Sequence, residues 1–144
     1  MHLTQFSDYS LRLLLYLAEH DDRSCTIGEI AAWYDISKAH LVKAAHALAT
    51  LGFVKSFQGR GGGLRLGKPA AEIDVASVLK GTEPDFILVE CFDRARNNCR
   101  IARACKLKHA LYDAHQAFLN SLSRHSLADL VSPEIPSPQK RRVS

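Results

Sequence analysis

The sequence lacks any apolar run long enough to cross a membrane and any visible secretory leader. A membrane-spanning helix needs about 20 apolar residues, and no stretch of this 144-residue chain approaches that length. The first residues, MHLTQFSDYS, lack the basic segment and apolar stretch of a secretory signal. We therefore expect a globular cytoplasmic protein without a membrane partner, of a length that fits one domain with an appended element.

Cysteine is scarce, and no two cysteines stand in the CxxC spacing of thiol-exchange enzymes. The tightly spaced cysteine pairs of zinc ribbons and zinc fingers are absent as well. The sequence also shows no substrate-pocket motif and no nucleophile beside a positioned base. A redox or thiol-exchange enzyme is therefore poorly supported, and we expect no catalytic residues.

Three of the four cysteines, Cys91, Cys99 and Cys105, nevertheless stand together in one arginine-rich segment. In a reducing compartment such groups more often bind metal or sense redox state than form disulfides. The wide spacing suits an iron–sulfur cluster, whose irons are held by thiolates that can be far apart in sequence. Neighbouring arginines favour thiolates and would equally activate free thiols, so charge leaves a cluster and a thiol switch both open.

A cluster held by three cysteines needs one more ligand. Cys25 is a candidate by residue type, but its place at a helix entrance favours a partly buried small hydrophobe. His109 lies one helical turn beyond Cys105 and could reach a shared site. Such a histidine is more often a surface or dimer-face residue.

Acidic residues are absent between Ile36 and Ala71. The same stretch carries six cations, Lys38, Lys43, Lys55, Arg60, Arg65 and Lys68. Because a solvated face normally mixes both signs, this bias points to a polyanionic partner. Alternatively, nearby acidic residues fold over the cations, and charge alone leaves both interpretations open. Those residues are Asp21, Asp22, Glu29 and Asp35.

Helix signals around this basic stretch predict a helix-turn-helix. Thr26 and Glu29 form a capping box for a short helix, and Ser37 is placed to cap a second helix that Gly52 ends. The alternating segments FVKSF and LRLGKP, joined by QGRGGG, then predict a β-hairpin with a basic tip. We therefore predict a mainly α, winged helix-turn-helix fold that binds double-stranded operator DNA, in preference to a generic small helical domain.

Two further helices complete the predicted DNA-binding domain. The first should begin at a cap on Ser7 or Asp8, and a later short helix should begin at Asp74. The residues expected on the buried face of the first helix are Leu11, Leu14, Leu15 and Ala18.

Apolar residues recur at helical spacing from Cys105 to the end of the segment HSLADL. Too little chain remains to cover this stripe, so we expect the helix to pair with its copy in a homodimer; packing back on its own domain is the alternative. The tail, SPEIPSPQKRRVS, has the composition of a disordered segment. The predicted division is 1–80 for the winged domain, 81–104 for a cysteine-bearing loop, 105–131 for a dimerisation helix and 132–144 for a disordered tail.

Candidate DNA contacts follow from the predicted fold. The N-terminal residues of a recognition helix reach base edges, and a wing reaches phosphates or the minor groove. On the recognition helix the candidates are Ser37, Lys38, His40 and Lys43. On the wing they are Lys55, Gln58, Arg60 and Arg65.

The order of the motifs LTQFSDYSLRLLLYLA, GGLRLGKP, CKLKHAL and FLNSLSRHSLADLV resembles the bacterial winged-helix repressors of the IscR/NsrR type, which bind iron–sulfur clusters. The resemblance covers nearly the whole chain except the tail, and it is greatest to the nitric-oxide-sensing members. It implies a homodimeric repressor whose operator binding is switched by a cluster and by nitric oxide. Regulation of cluster assembly or of oxidative stress is the alternative regulon.

The resemblance also implies the ligands. Cys91, Cys99 and Cys105 would hold the cluster, and Asp8 of the partner subunit would complete a [4Fe–4S] site in preference to a [2Fe–2S] site. A carboxylate binds iron less strongly than a thiolate, which would make that iron the point of attack. Otherwise Asp8 is only a helix cap. One departure is the seven-residue gap before Cys99, where members of the family usually have about five.

Overall fold

The computed structural model describes residues 2–131, so the predicted disordered tail lies outside the described part of the chain. Six helices and one hairpin follow each other in the order α1 to α3, β1, β2 and α4 to α6. Their bounds are α1 Gln5–Glu19, α2 Ile27–Tyr34, α3 Lys38–Thr50, β1 Val54–Phe57, β2 Gly63–Leu66, α4 Val75–Thr82, α5 Lys106–Leu122 and α6 Leu127–Leu130. None of the helices within residues 2–131 combines the length and apolar character that crossing a bilayer requires.

Helix α1 lies at the centre of the core and begins earlier than the sequence predicted. Its N-cap is Thr4, whose hydroxyl accepts a hydrogen bond from the Ser7 N–H, so the predicted caps at Ser7 or Asp8 are wrong. The fully buried leucines of α1 are Leu13, Leu14 and Leu17. The predicted buried face is therefore rotated, because Leu11, Leu15 and Ala18 are only partly buried beside that core.

Helices α2 and α3 form the predicted helix-turn-helix. The capping box of Thr26 and Glu29 is present, with each residue bonding the backbone of the other. Asp35 ends α2 in a left-handed conformation at φ 52°, which turns the chain into α3. Ser37 occupies the N-cap of α3 but its side chain makes no capping bond, and Gly52 follows the helix at φ 79°.

The wing is a two-stranded antiparallel hairpin in which Val54 pairs with Leu66 and Phe57 with Gly63. Its inner strand is anchored to the loop before α2, since Cys25 N–H donates to the Leu64 carbonyl at 2.9 Å and Leu64 N–H donates to the Cys25 carbonyl at 2.7 Å. This bridge fixes the hairpin relative to the helix-turn-helix. The mainly α winged-helix fold is confirmed.

The end of the described chain returns to the winged domain. The helix that the sequence predicted over 105–131 ends at Leu122, and Ser126 begins α6 with a capping box of its own. Leu127 is fully buried in the main core, and its N–H donates to the Ile73 carbonyl at 2.9 Å. Helix α6 is therefore part of the winged domain, and α5 is the segment that projects from it.

Candidate nucleic-acid interface and cysteine loop

Helix α3 presents one buried side and one exposed side. Its buried residues are Leu41, Ala44, Ala45 and Leu48. At about 3.6 residues per turn, the opposite side carries Ala39, Lys43 and His46, and Val42 lies beside them. All four of these residues are exposed.

The contacts predicted on the recognition helix, Ser37, Lys38, His40 and Lys43, are all exposed. His40 nevertheless lies on the flank that faces α1, where its ring centroid is 6.0 Å from that of Tyr9. The same exposed side carries Ala39, Val42 and His46, which the sequence did not lead us to predict as contacts. Their exposure could have been predicted from their helical spacing relative to Leu41, but the predicted contacts on this helix were chosen for charge and polarity.

The predicted wing contacts are exposed along the hairpin and its turn. Lys55 and Arg65 are directly paired across the two strands. Like charges in such a pair repel, and a polyanion would relieve that repulsion. The Arg65 Nε–H donates to the Ser24 hydroxyl at 3.0 Å, which fixes this guanidinium beside the loop before α2. Gln58 and Arg60 lie in the exposed turn between the strands.

The six cations of the acid-free stretch have no ion-pair partner within residues 2–131. The three ion pairs there join Arg12 to Asp8, Arg23 to Glu29 and Arg96 to Asp93. Glu29 thus pairs with Arg23, whereas Asp21 lines a cleft together with Arg65 and Lys68 without an ion pair to either. The cations stay available to a polyanion.

Gly63 allows the wing to approach the loop before α2. It adopts φ +150°, and an added Cβ would lie 2.6 Å from the Cys25 carbonyl oxygen. We expect Gly63→Ala to destabilise the protein by about 1–3 kcal/mol, because the bridge between wing and helix-turn-helix must open. Thermal unfolding and affinity for duplex DNA measure both effects. Gly61→Ala is the control, since Gly61 also has positive φ (79°) but no atom within 4 Å of its Cβ position. Equal losses in both variants would show that closeness to Cys25 is irrelevant.

Cys25 is fully buried in the main core. Desolvation by burial raises the pKa of its thiol, which disfavours the thiolate that metal binding requires. The sequence predicted a partly buried small hydrophobe at this position, and the side chain is completely buried.

The cysteine loop, residues 83–105, carries the other three thiols. All three are free and half-buried. Cys91 lies in a short helical turn, Glu90–Phe92. The Asn98 N–H donates to the Glu90 carboxylate, and the Cys99 N–H donates to the Asn97 side chain at 3.0 Å. The Glu90 bond closes the enlarged gap into a sub-loop whose two ends carry Cys91 and Cys99.

Cys105 is the N-cap of α5, and its Sγ accepts a hydrogen bond from the Lys108 N–H at 3.4 Å. This bond satisfies one of the N–H groups in the first turn that have no partner within the helix. Cys91 opens onto a cleft of about 500 Å³ that is also lined by Arg94, Lys108 and His109.

Asp8 lies on α1, apart from that loop in sequence. Because Thr4 caps the helix, the Asp8 carboxylate is free of any capping role and instead pairs with the Arg12 guanidinium at 2.9 Å. Within residues 2–131 no three histidine, cysteine or acidic side chains converge as a metal site. Three thiols and a carboxylate are nevertheless a donor set that suits iron.

Helix α5 leaves an apolar stripe uncovered. Of its residues only Leu119 is buried, while Leu107 is 66% exposed and Tyr112 is 53% exposed. Beside it lies a cleft of about 640 Å³ with largely apolar walls that include Leu3, Phe86 and Phe118. Large exposed apolar side chains beside an apolar cleft are typical of interaction sites.

The family comparison and the most similar curated proteins agree on one family of regulators. The sequence pattern of the Rrf2 family, described as iron-dependent transcriptional regulators, matches residues 3–133. The HTH-type transcriptional regulator NsrR of Bacillus subtilis is 46% identical over 132 residues, which cover 91% of this chain and 90% of that protein. The regulator of the same name from Shouchella clausii is 44% identical over 135 residues, which cover 93% and 91% respectively.

Solved structures share the fold. CymR, the global cysteine regulator of B. subtilis, superposes with a TM-score of 0.75 at 21% identity, over 91% of this chain and 96% of CymR. IscR of T. potens superposes with a TM-score of 0.73 at 21% identity, over 90% of this chain and 85% of IscR. At these identities the likeness concerns the winged-helix fold alone.

Proposed function

This chain belongs to the Rrf2 family of transcriptional regulators, and from that premise we propose that it is a cytoplasmic repressor controlled by an iron–sulfur cluster and by nitric oxide. It is a DNA-binding transcriptional repressor and not an enzyme, as the named relatives indicate. The finer proposal rests on one observation above all. Three free, half-buried cysteines stand in an arginine-rich loop, in which the ring of Phe92 lies 6.3 Å from that of Tyr112 on the projecting helix α5.

The cysteine loop provides the donor set for the cluster. Cys91, Cys99 and Cys105 would hold it, and the surrounding arginines would offset the negative charge of the thiolates. We propose a [4Fe–4S] cluster in preference to [2Fe–2S], with Asp8 of a second subunit as the remaining ligand. When bound, the cluster supplies irons that react with nitric oxide.

The Asp8 carboxylate is suited to bind the cluster in one state of the protein and Arg12 in the other. Its carboxylate is partly exposed and holds only the Arg12 side chain, an exposed pair worth well under 1 kcal/mol in most proteins. The carboxylate can therefore leave Arg12 at little cost. Loss of the cross-subunit bond would return Asp8 to Arg12, one turn further along the same helix.

Helix α1 connects Asp8 to the recognition helix. Tyr9 follows Asp8 directly, and its ring lies 6.0 Å from that of His40 on α3. The Tyr9 hydroxyl accepts a hydrogen bond from the Gln5 amide at 2.9 Å, which holds the ring on this side of α1. A shift of α1 that follows a change at Asp8 would thus reach α3 through Tyr9.

A homodimer would cover the apolar stripe of α5. Operators read by helix-turn-helix dimers present half-sites about 34–36 Å apart, so the two recognition helices must be held at a defined separation. A ligand contributed by the partner subunit would fix that separation. Double-stranded DNA would then bind through Ser37, Lys38, His40 and Lys43 on α3 and through Lys55, Gln58, Arg60 and Arg65 on the wing.

Substitution of Asp8 tests the cross-subunit arrangement. We expect Asp8→Ala to keep its iron on three thiolates while its affinity for an operator duplex falls about ten-fold, within the usual range of coupling between sites. Iron analysis and DNA titration under anaerobic conditions measure the two quantities. Asp22→Ala, at an exposed carboxylate in the loop after α1, is the control and should match the unsubstituted protein. Unchanged operator affinity in Asp8→Ala would remove Asp8 from the ligand set.

A thiol switch without iron is the second candidate. It is favoured by the same three free thiols, since cationic surroundings activate cysteine towards oxidation. Iron and sulfide analysis of anaerobically purified protein separates the two functions. A colourless protein with full operator affinity would favour the thiol switch and contradict the cluster.

A further inference from the structure

The exposed side of α3 carries an apolar strip that the cationic contacts do not explain. Ala39 and Val42 are both exposed, and Val42 keeps 47% of its surface accessible. They lie one helical turn apart in the N-terminal half of the helix. No acidic residue occurs anywhere in α3, and Lys38 and Lys43 lie on either side of the strip.

The lysines beside the strip indicate which kind of partner contacts it. A protein partner that covered Val42 would also have to accommodate Lys38 and Lys43, together with the unpaired cations of the wing. Duplex DNA does so through its phosphates. In the major groove the one apolar group on the base edges is the 5-methyl group of thymine, which small apolar side chains contact.

We propose that Val42, with Ala39 beside it, reads the 5-methyl group of a thymine in each operator half-site. The inference rests on the DNA-binding function and names the base that this chain selects. It also separates the roles along α3. Lys43 contributes affinity for any sequence, whereas Val42 contributes discrimination between bases. His40, turned towards Tyr9 of α1, lies on the opposite flank from Val42.

Uracil differs from thymine only in lacking the 5-methyl group. Replacement of thymine by uracil therefore removes the proposed contact and leaves the hydrogen-bonding groups of the base in place. Duplexes that bind the full-length protein are first enriched from a random library under anaerobic conditions. Each thymine of an enriched duplex is then replaced by uracil in turn. We expect one position per half-site where the loss of the methyl group weakens binding about four-fold, the factor for about 0.8 kcal/mol per buried methyl group.

Variants at position 42 assign that loss to its side chain. Val42→Ala should bind the thymine and uracil duplexes equally, whereas Val42→Thr, which keeps one methyl group, should retain the preference for thymine. Lys43→Ala is the control and should weaken both duplexes by the same factor. Because Val42 is exposed, the melting temperatures of its variants should equal that of the unsubstituted protein.

Three results would overturn the proposal. Binding that is indifferent to uracil at every position would exclude methyl recognition while leaving the DNA-binding function intact. Persistence of the thymine preference in Val42→Ala would assign it to another residue. Failure to enrich any duplex would contradict DNA binding itself, together with this inference.

Discussion

Alanine at position 99 should yield a colourless protein with less than a tenth of the iron of the unsubstituted chain. Cys99 lies at one end of the sub-loop that Glu90 and Asn98 close. Its substitution leaves Cys91 and Cys105 as the only cysteine ligands in the loop. Two thiolates and a carboxylate are a poor ligand set for an iron–sulfur cluster, which thiolates normally hold. Regulated operator binding should be lost together with the iron. Iron and sulfide analysis, absorbance and DNA titration after anaerobic purification measure these effects.

Cys25→Ala is the matched control for that experiment. Cys25 is fully buried and bridges the wing through its backbone, which the substitution keeps. The Cys25→Ala protein should stay coloured and respond to nitric oxide, although removal of the buried sulfur lowers its stability. Full iron content in Cys99→Ala, or loss of colour in Cys25→Ala, would contradict the assignment of ligands.

Leu127→Ala should destabilise the protein by about 2–5 kcal/mol, the usual range for a buried leucine in a core. Leu127 is fully buried in the main core, where α6 contacts α1 and the turn at residues 70–72, although it lies beyond the end of α5. A loss of this size is a large part of the roughly 5–15 kcal/mol by which a domain is stable. Urea denaturation followed by circular dichroism measures it.

The same short helix provides the control. Leu130 is 44% exposed, so Leu130→Ala should change the free energy of unfolding by less than about 0.5 kcal/mol. Equal effects at the two positions would show that α6 does not enter the core. The segment would then continue α5, as its sequence suggests.

The helix-turn-helix and wing could be predicted because their signals are local. The capping box of Thr26 and Glu29 starts α2, Gly52 follows α3, and the glycines of the turn permit the hairpin. The start of α1 was predicted too late, because Ser7 and Asp8 are also good capping residues and Thr4 lies upstream of them. The break after Leu122 was missed as well. Apolar spacing continues through it, and the backbone bonds that place α6 come from Ile73 and Asp74, which are distant in sequence.

The candidate site, like the fold, could be predicted only in part. The cations of α3 and the wing are visible as a run without acidic residues, but the orientation of α3 decides that Val42 and His46 are exposed while His40 turns towards Tyr9. The turns of the cysteine loop depend on side-chain bonds from Glu90 and Asn97, which no spacing rule reveals. The Arg12 partner of Asp8, four residues along α1, follows a simple helical rule.

Under the proposed function, nitric oxide releases this repressor from DNA through the cysteine loop. The most direct test of this release is a titration of the anaerobically purified protein with nitric oxide, in which the absorbance of the cluster and the fraction of bound operator duplex are recorded together. We predict that both signals fall in parallel and that the Cys99→Ala protein shows neither change. A colourless protein that binds the operator fully, or a coloured one whose binding nitric oxide leaves unchanged, would contradict the account.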